Sequence, residues 1–309
     1  MKRVESKIAL GEYDIEIKRT RAYTWDQLVE RYFPNSRRKK SGKTVKREQQ
    51  VIGAFSAFLN GTTFLTDIKK PTIEAYKAKR LATKSRRNQP ISPATVSIEL
   101  RILKTMFNMA LEWKMVKENP VNRVPLPKKG ITKIRFLHQA EVERLLQVIA
   151  DAGDTDFRDL VIAYLRTGAR RFELLDPQFG WDHINRDDRK LLIDGKGLRQ
   201  RHIPIDAPLE RVLQRRVQQG GEFPFDYHPD TVTHKLANYL KVAGIEGANV
   251  HSLRKTFGSM IIQRDPTQLL HVSRLLGHAS IRTTESYYVD LLDANLRDAV
   301  GYLDGQIPE

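Results

Sequence analysis

Residues 119–135 hold three prolines, one glycine and five basic residues: Arg123, Lys128, Lys129, Lys133 and Arg135. Proline fixes φ, removes a backbone donor and steers the residue before it away from helix. A stretch of this composition supports neither a long helix nor a central strand, so the chain is expected to fold as two bodies on either side of it. At 309 residues it is long enough for about two domains. The expected divisions are an arm or extra helix over 1–22, a helical domain over 23–118, a linker over 119–132, a second domain over 133–290 and a helix or tail over 291–309.

The two sides carry different charge. Residues 1–130 contain 29 Lys and Arg against 12 Asp and Glu, whereas residues 131–309 contain 24 against 25. Nearly all of the net +16 therefore lies in the first part. A basic surface of that size suits a polyanion, with double-stranded DNA or RNA the leading partners; a merely solvated basic surface is the plainer alternative. The candidate phosphate contacts are Arg37, Arg38, Lys39, Lys40 and Lys43 in one run, Arg86 and Arg87 in a second, and Lys128 and Lys129 in the linker. In the near-neutral second part, any cation that matters must be placed individually.

Composition closes several routes. The chain has no cysteine, which excludes disulfides, thiolate zinc sites and cysteine nucleophiles. No segment reaches the roughly 18 apolar residues of a membrane span, and the N-terminus lacks the apolar stretch and cleavage site of a secretory signal. A hydrophobic content of 40% is sufficient for real cores.

Periodicity places the elements. A helix through Val51, Phe55 and Phe58 ends near Asn60-Gly61, and another begins at about Thr72 and carries Ile73 and Tyr76. Ser92-Pro93 reads as an N-cap followed by proline at the first helical position. The helix it opens places Val96, Leu100, Leu103, Phe107 and Ala110 on one buried stripe. The run SRRKKSGKTVKRE, residues 36–48, is expected to be a loop leading into a helix, and KSRRNQPIS, residues 84–92, a basic loop. In the second part FLHQAEVERLLQVIA forms an amphipathic helix, and a further helix through Phe157, Leu160 and Tyr164 breaks at Gly168. LLIDGKGLRQRHIPI, residues 191–205, reads as a β-hairpin with Lys196 near its turn. The remainder is mostly helical.

Five short motifs carry candidate chemistry. In TGARRFE, Glu173 lies three residues after Arg170, a helical spacing at which a carboxylate holds a guanidinium. Arginine suits phosphate because its planar fork donates two parallel hydrogen bonds; Arg171 competes for the role. Lys196 between two glycines is on its face a turn residue, yet a mobile loop can deliver an ammonium to a leaving oxygen. His251 and Arg254 share one helical face. His278 follows Gly277 and serves equally as a core residue or a cap. Tyr287 and Tyr288 are adjacent, so one of them packs in the core. Each signal is weak alone, and their fixed order is what carries weight.

In that order the motifs resemble the tyrosine recombinase, or phage integrase, family. The family's TG-x-R-x-x-E pattern is similar to Thr167-Gly168-Ala169-Arg170 with Glu173, its hairpin lysine to Lys196, its H-x-L-R box to His251-Ser252-Leu253-Arg254, its LGH box to Leu276-Gly277-His278, and its TT-x-x-Y segment to Thr283-Thr284-Glu285-Ser286-Tyr287. The step of nine residues from His278 selects Tyr287 over Tyr288. Lys255 stands where many relatives have histidine, and the stretch after Glu173, with Pro177 inside it, is one residue longer than usual.

The resemblance implies a mainly α fold with a small antiparallel β-sheet: an all-helical core-binding domain and a mixed α+β catalytic domain forming a C-shaped clamp, of the simple two-domain type. It implies catalytic roles for Arg170, Lys196, His251, Arg254, His278 and Tyr287, with Glu173 orienting Arg170, and no metal or other cofactor. The implied partners are a specific duplex DNA site, a homotetramer on DNA that is monomer or dimer when free, and accessory DNA-bending proteins. No membrane is implied, and the location is cytoplasmic at the nucleoid. A type IB topoisomerase and a DNA-binding regulator without chemistry are the competing functions.

Overall fold

A computed structural model describes residues 23–85, 88–128, 135–195 and 199–293, the side chains of 199 and 289–293 excepted. The arm over 1–22, Arg86, Arg87, Lys129, Lys196 and the tail beyond 293 lie outside the described residues. The chain divides into two compact units between Ile131 and Thr132.

The first unit is helical: α1 (Trp25–Lys39), α2 (Gly42–Leu59), α3 (Lys70–Ala82) and α4 (Pro93–Glu112). Ser92 caps α4 by accepting from the Thr95 N–H, and the stripe from Val96 to Ala110 is fully buried. Each such side chain contributes about 1.5–3 kcal/mol of transfer free energy. α2 ends on Asn60 in the left-handed conformation, as the Asn-Gly pair predicts.

Two expectations change. The cation run at 36–48 is helix on both sides of a short break. Arg37, Arg38 and Lys39 form the last turn of α1, where cations complement the negative end of the helix. α1 itself is not predicted, because Pro34 lies inside it. The Thr24–Gln27 capping box and the burial of Trp25, Leu28 and Tyr32 outweigh the missing donor. The stretch expected to be a linker from 119 onward begins inside the first core: Val121 and Val124 are buried, and Asn119 donates to the Lys104 carbonyl at 2.9 Å. Its apolar residues have a wall to pack on, which composition does not reveal.

The second unit contains α5 (Gln139–Asp151), α6 (Thr155–Thr167), β1 (Ile184–Asn185), β2 (Lys190–Gly195), β3 (Arg199–Pro204), α7 (Ala207–Gln218), α8 (Pro229–Val242), α9 (Val250–Arg264), α10 (Leu269–Leu276) and α11 (Ile281–Asp293). The strands form one antiparallel sheet in sequence order, with Leu191 opposite Ile203 and Ile193 opposite Arg201. β2 and β3 are the arms of the expected hairpin; β1 is a short addition. α6 packs on α9, and β3 on α10. Gly168 ends α6 with φ of 59°, and a Cβ on it would lie 2.5 Å from Phe257. Both conformation and space demand glycine there. Among the described residues no helix is long and apolar enough to cross a membrane.

Candidate active site

Four segments of the second unit converge: the turn after α6, strand β3, the first turn of α9, and the α10–α11 junction. The turn after α6 is not helical, in contrast to the expectation for Arg170 and Glu173. The Glu173 N–H instead donates to the Arg170 carbonyl at 2.9 Å. The Glu173 carboxylate accepts from the Arg170 backbone N–H at 2.6 Å and from its Nη1 at 2.7 Å. The pairing is thus present, through a turn. Arg171 leaves the site: it donates to Thr233 Oγ1 on α8 at 2.6 Å and lies over the Phe172 ring.

Glu173 also holds a cation that sequence reasoning misses. Arg201 of β3 donates to Glu173 Oε1 at 3.1 Å and to Oε2 at 2.6 Å, and its Nε donates to the Leu275 carbonyl at 2.8 Å. Burial pushes the Glu173 carboxyl up, but the bonds and charge of Arg201 and the bonds from Arg170 outweigh it and hold the pKa at about 2. Alternation along β3 marks Arg201 as an inward position, opposite the fully buried Ile193, and that is the one signal the sequence offers.

Asn249 caps α9 by accepting from the N–H groups of His251 and Ser252, which places His251 in the first turn and Arg254 just beyond it on the same face. Arg254 is 3% exposed. Its guanidinium donates to the Gly168 carbonyl at 2.7 Å and to the Leu276 carbonyl. Among the described residues no carboxylate pairs with it. Burial, then the charges of Arg170 and Arg201, push its pKa down to about 10. A buried cation without a counter-charge is expensive.

Both histidines are held neutral. Burial and the neighbouring cations Lys255, Arg254 and Arg170 lower the His251 pKa. Burial, then Arg254, Arg170 and Arg201, push His278 down to about 4. His278 Nδ1 lies 2.8 Å from Thr284 Oγ1. Its ring centroid is 6.2 Å from that of Tyr287.

The two tyrosines separate cleanly. Tyr287 is 40% exposed and Tyr288 2% exposed. The Tyr288 hydroxyl presses on α9, where a Cβ on Gly258 would lie 2.1 Å from it. The structure therefore gathers Arg170, Glu173, His251, Arg254, His278 and Tyr287, with Arg201 added. Lys196 lies outside the described residues, between the ends of β2 and β3.

On the first unit Arg37, Arg38, Lys39 and Lys128 are exposed. Lys40 is engaged, donating to the buried Glu48 at 2.5 Å and to the Tyr32 hydroxyl at 3.0 Å. A cleft lined by Lys43, Lys46, Arg47, Gln50, Arg80 and Thr95 adds Lys46 and Arg47 to the expected cations; its Arg80 is paired with Glu99.

Comparison with known proteins supplies the family and the fold. The model of the phage integrase family matches residues 135–295, and that of the phage integrase SAM-like domain matches residues 27–130. A tyrosine recombinase of Pseudothermotoga lettingae is 27% identical over 248 residues, covering 77% of this chain and 84% of its own. A lambda integrase dimer bound to a COC' core site has a TM-score of 0.73 at 19% identity, covering 92% of this chain and 84% of that one. A lambda integrase tetramer bound to a Holliday junction has a TM-score of 0.70 at 18% identity, covering 90% and 85%.

Proposed function

Because this chain belongs to the phage integrase family, we propose that it is a site-specific recombinase that cuts and rejoins duplex DNA through its own tyrosine. The Tyr287 hydroxyl oxygen attacks the scissile phosphorus, the bond to the 5′ oxygen breaks, and a 3′-phosphotyrosine forms. The ester conserves the energy of the broken linkage, so a 5′-hydroxyl from a second duplex can reverse the step. Lys196 protonates the departing oxygen. His251, neutral at pH 7, accepts the tyrosine proton. Arg170, Arg254 and His278 donate to the non-bridging oxygens as charge accumulates on them.

The observation that carries this reading is Arg254. Its buried guanidinium has carbonyl partners and no carboxylate among the described residues, so an incoming phosphate supplies a counter-ion the fold withholds. Glu173 offsets that surplus only in part, because Arg201 and Arg170 already occupy both its oxygens.

The first unit binds the duplex through its exposed cations and the cleft beside Arg47, which set register on the phosphates. Four copies work in pairs through a Holliday junction, in the cytoplasm at the nucleoid. Removal of residues 292–309 decides whether the tail joins neighbouring copies or serves its own domain: lost tetramer assembly on DNA supports the exchange, and unchanged assembly rejects it.

The decisive experiment uses a duplex nicked next to the cleavage point, which traps the covalent intermediate. The unmodified protein should become attached to DNA. Tyr287→Phe should bind and fail to attach, whereas Tyr288→Phe should attach. Attachment by Tyr287→Phe that disappears in Tyr288→Phe would move the nucleophile by one residue. Efficient relaxation of a plasmid lacking any target site would favour a topoisomerase instead.

A further inference from the structure

The phosphate role of His278 needs more than its position. At neutral pH the imidazole is uncharged, so it carries one proton on one of two nitrogens. Only the nitrogen facing the site can serve the phosphate, and it must be the one that bears hydrogen. Something must therefore choose the tautomer.

We propose that Thr284 is that positioning residue: its hydroxyl donates to His278 Nδ1, which keeps the ring proton on Nε2 and makes His278 a neutral donor before DNA arrives. The inference rests on the reading of His278 as a phosphate donor. Thr284 is completely buried in the first turn of α11, one turn before Tyr287. Its Oγ1 lies 2.8 Å from Nδ1, and this is the one side-chain hydrogen bond of that hydroxyl among the described residues.

The direction of the bond follows from satisfaction. A hydroxyl has one proton and two lone pairs. If Nδ1 carried the hydrogen, the Thr284 proton would be buried without an acceptor, which costs about 1–3 kcal/mol. If Thr284 donates, only lone pairs are left over. The backbone of His278 is fixed independently, its N–H donating to the Ser273 carbonyl at 3.0 Å, so the ring is held at both ends. Thr284 also ties the proton of His278 to the helix that presents Tyr287. Displacement of α11 would release the tautomer and the nucleophile together.

The test is spectroscopic. The full chain, labelled with ¹⁵N at histidine, gives long-range ¹H–¹⁵N patterns that distinguish the two tautomers, and His278→Asn assigns the resonance among the eight histidines. At pH 7 the unmodified protein should show a bare Nδ1 and a protonated Nε2. Thr284→Ser should keep that pattern. Thr284→Val, equal in shape but without the hydroxyl, should populate the other tautomer. In single-turnover cleavage at saturating DNA, Thr284→Val should be slower by at least about tenfold, with unchanged DNA affinity, and Thr284→Ser should retain most of the rate. A protonated Nδ1 in the unmodified protein overturns the inference, and so does a Thr284→Val spectrum identical to it. Should the valine variant fail to fold, the unmodified and serine spectra decide. His278→Asn with undiminished cleavage would instead remove His278 from the phosphate reading and leave the tautomer assignment standing.

Discussion

The first unit buries two glutamates beside cations and the second buries one, and the two units use them to opposite ends. In the first, Glu48 accepts from Tyr32, Ser36 and Lys40, and Glu99 accepts from Tyr76 and from Arg80 through two bonds of 2.8 and 2.6 Å. Each carboxylate has its cation, and the circuit is closed. In the second, Glu173 is shared by Arg170 and Arg201, and Arg254 beside them has none. The most basic part of the sequence thus neutralises its buried charge, while the near-neutral part conserves a local surplus of positive charge. Net charge indicates what a domain attracts; the pairing of individual buried groups indicates where it reacts.

That contrast can be broken at several points. The largest effect is expected at Arg254. Arg254→Met removes a donor to the developing phosphate charge and should slow cleavage by roughly 10²–10³-fold. The melting temperature should fall less than in Arg201→Met, since the lost cation has no carboxylate to strand. Arg201→Met leaves Glu173 short of its bidentate partner in a buried position and should lower stability by about 3–5 kcal/mol in denaturant titrations. A Glu48→Gln variant should lose about 1–3 kcal/mol and leave the single-turnover cleavage rate of bound DNA unchanged; a slower chemical step would show that the first unit's network reaches the site. The smallest effect belongs to the surface: Arg47→Ala should weaken binding and lower the slope of log affinity against log salt by about one.

The site also predicts an acid-sensitive fold. The His278 pKa lies at about 4 against its ordinary 6.5, chiefly through burial and then through Arg254, Arg170 and Arg201. The unfolded chain therefore binds that proton first, and the associated stability, complete above pH 6.5, is lost as the pH falls towards 4. Glu173, held near 2 against 4.5, adds a loss that begins below pH 4.5 and continues towards 2. Melting temperature should decline steadily from about pH 6.5 downward, and His278→Asn should flatten the upper part of that decline. The difference between His278→Asn and the unmodified protein is the quantity to measure.

What the sequence revealed followed the range of the interaction. The Ser92 cap, the α4 stripe, the Gly168 break and the shared face of His251 and Arg254 are local, fixed by neighbours within about two helical turns. α1 was obscured because a proline within it reads as a stop, and only the burial of Trp25 and Tyr32 overrides that signal. Lys40 belongs to the same basic run as Lys39, yet Lys40, the extended cap residue after α1, is spent on Glu48 while Lys39 in the last turn is exposed. Strand alternation marks Arg201 as inward, but nothing local reveals what it pairs with. Its carboxylate partner is 28 residues away and its carbonyl partner 74, and neither spacing carries a period.

The seat of Tyr288 has a consequence for fidelity. Successive residues on a helix are about 100° apart, so two adjacent tyrosines offer almost perpendicular directions and invite error in which one fires. Wedging Tyr288 against a bare glycine turns α11 into a keyed shaft: it cannot rotate by one position without forcing an aromatic ring out of its socket. On the proposed assignment of Tyr287 as nucleophile, the choice of attacking oxygen is thereby enforced mechanically, and moving the reaction to the neighbouring residue would require the socket to be recut as well.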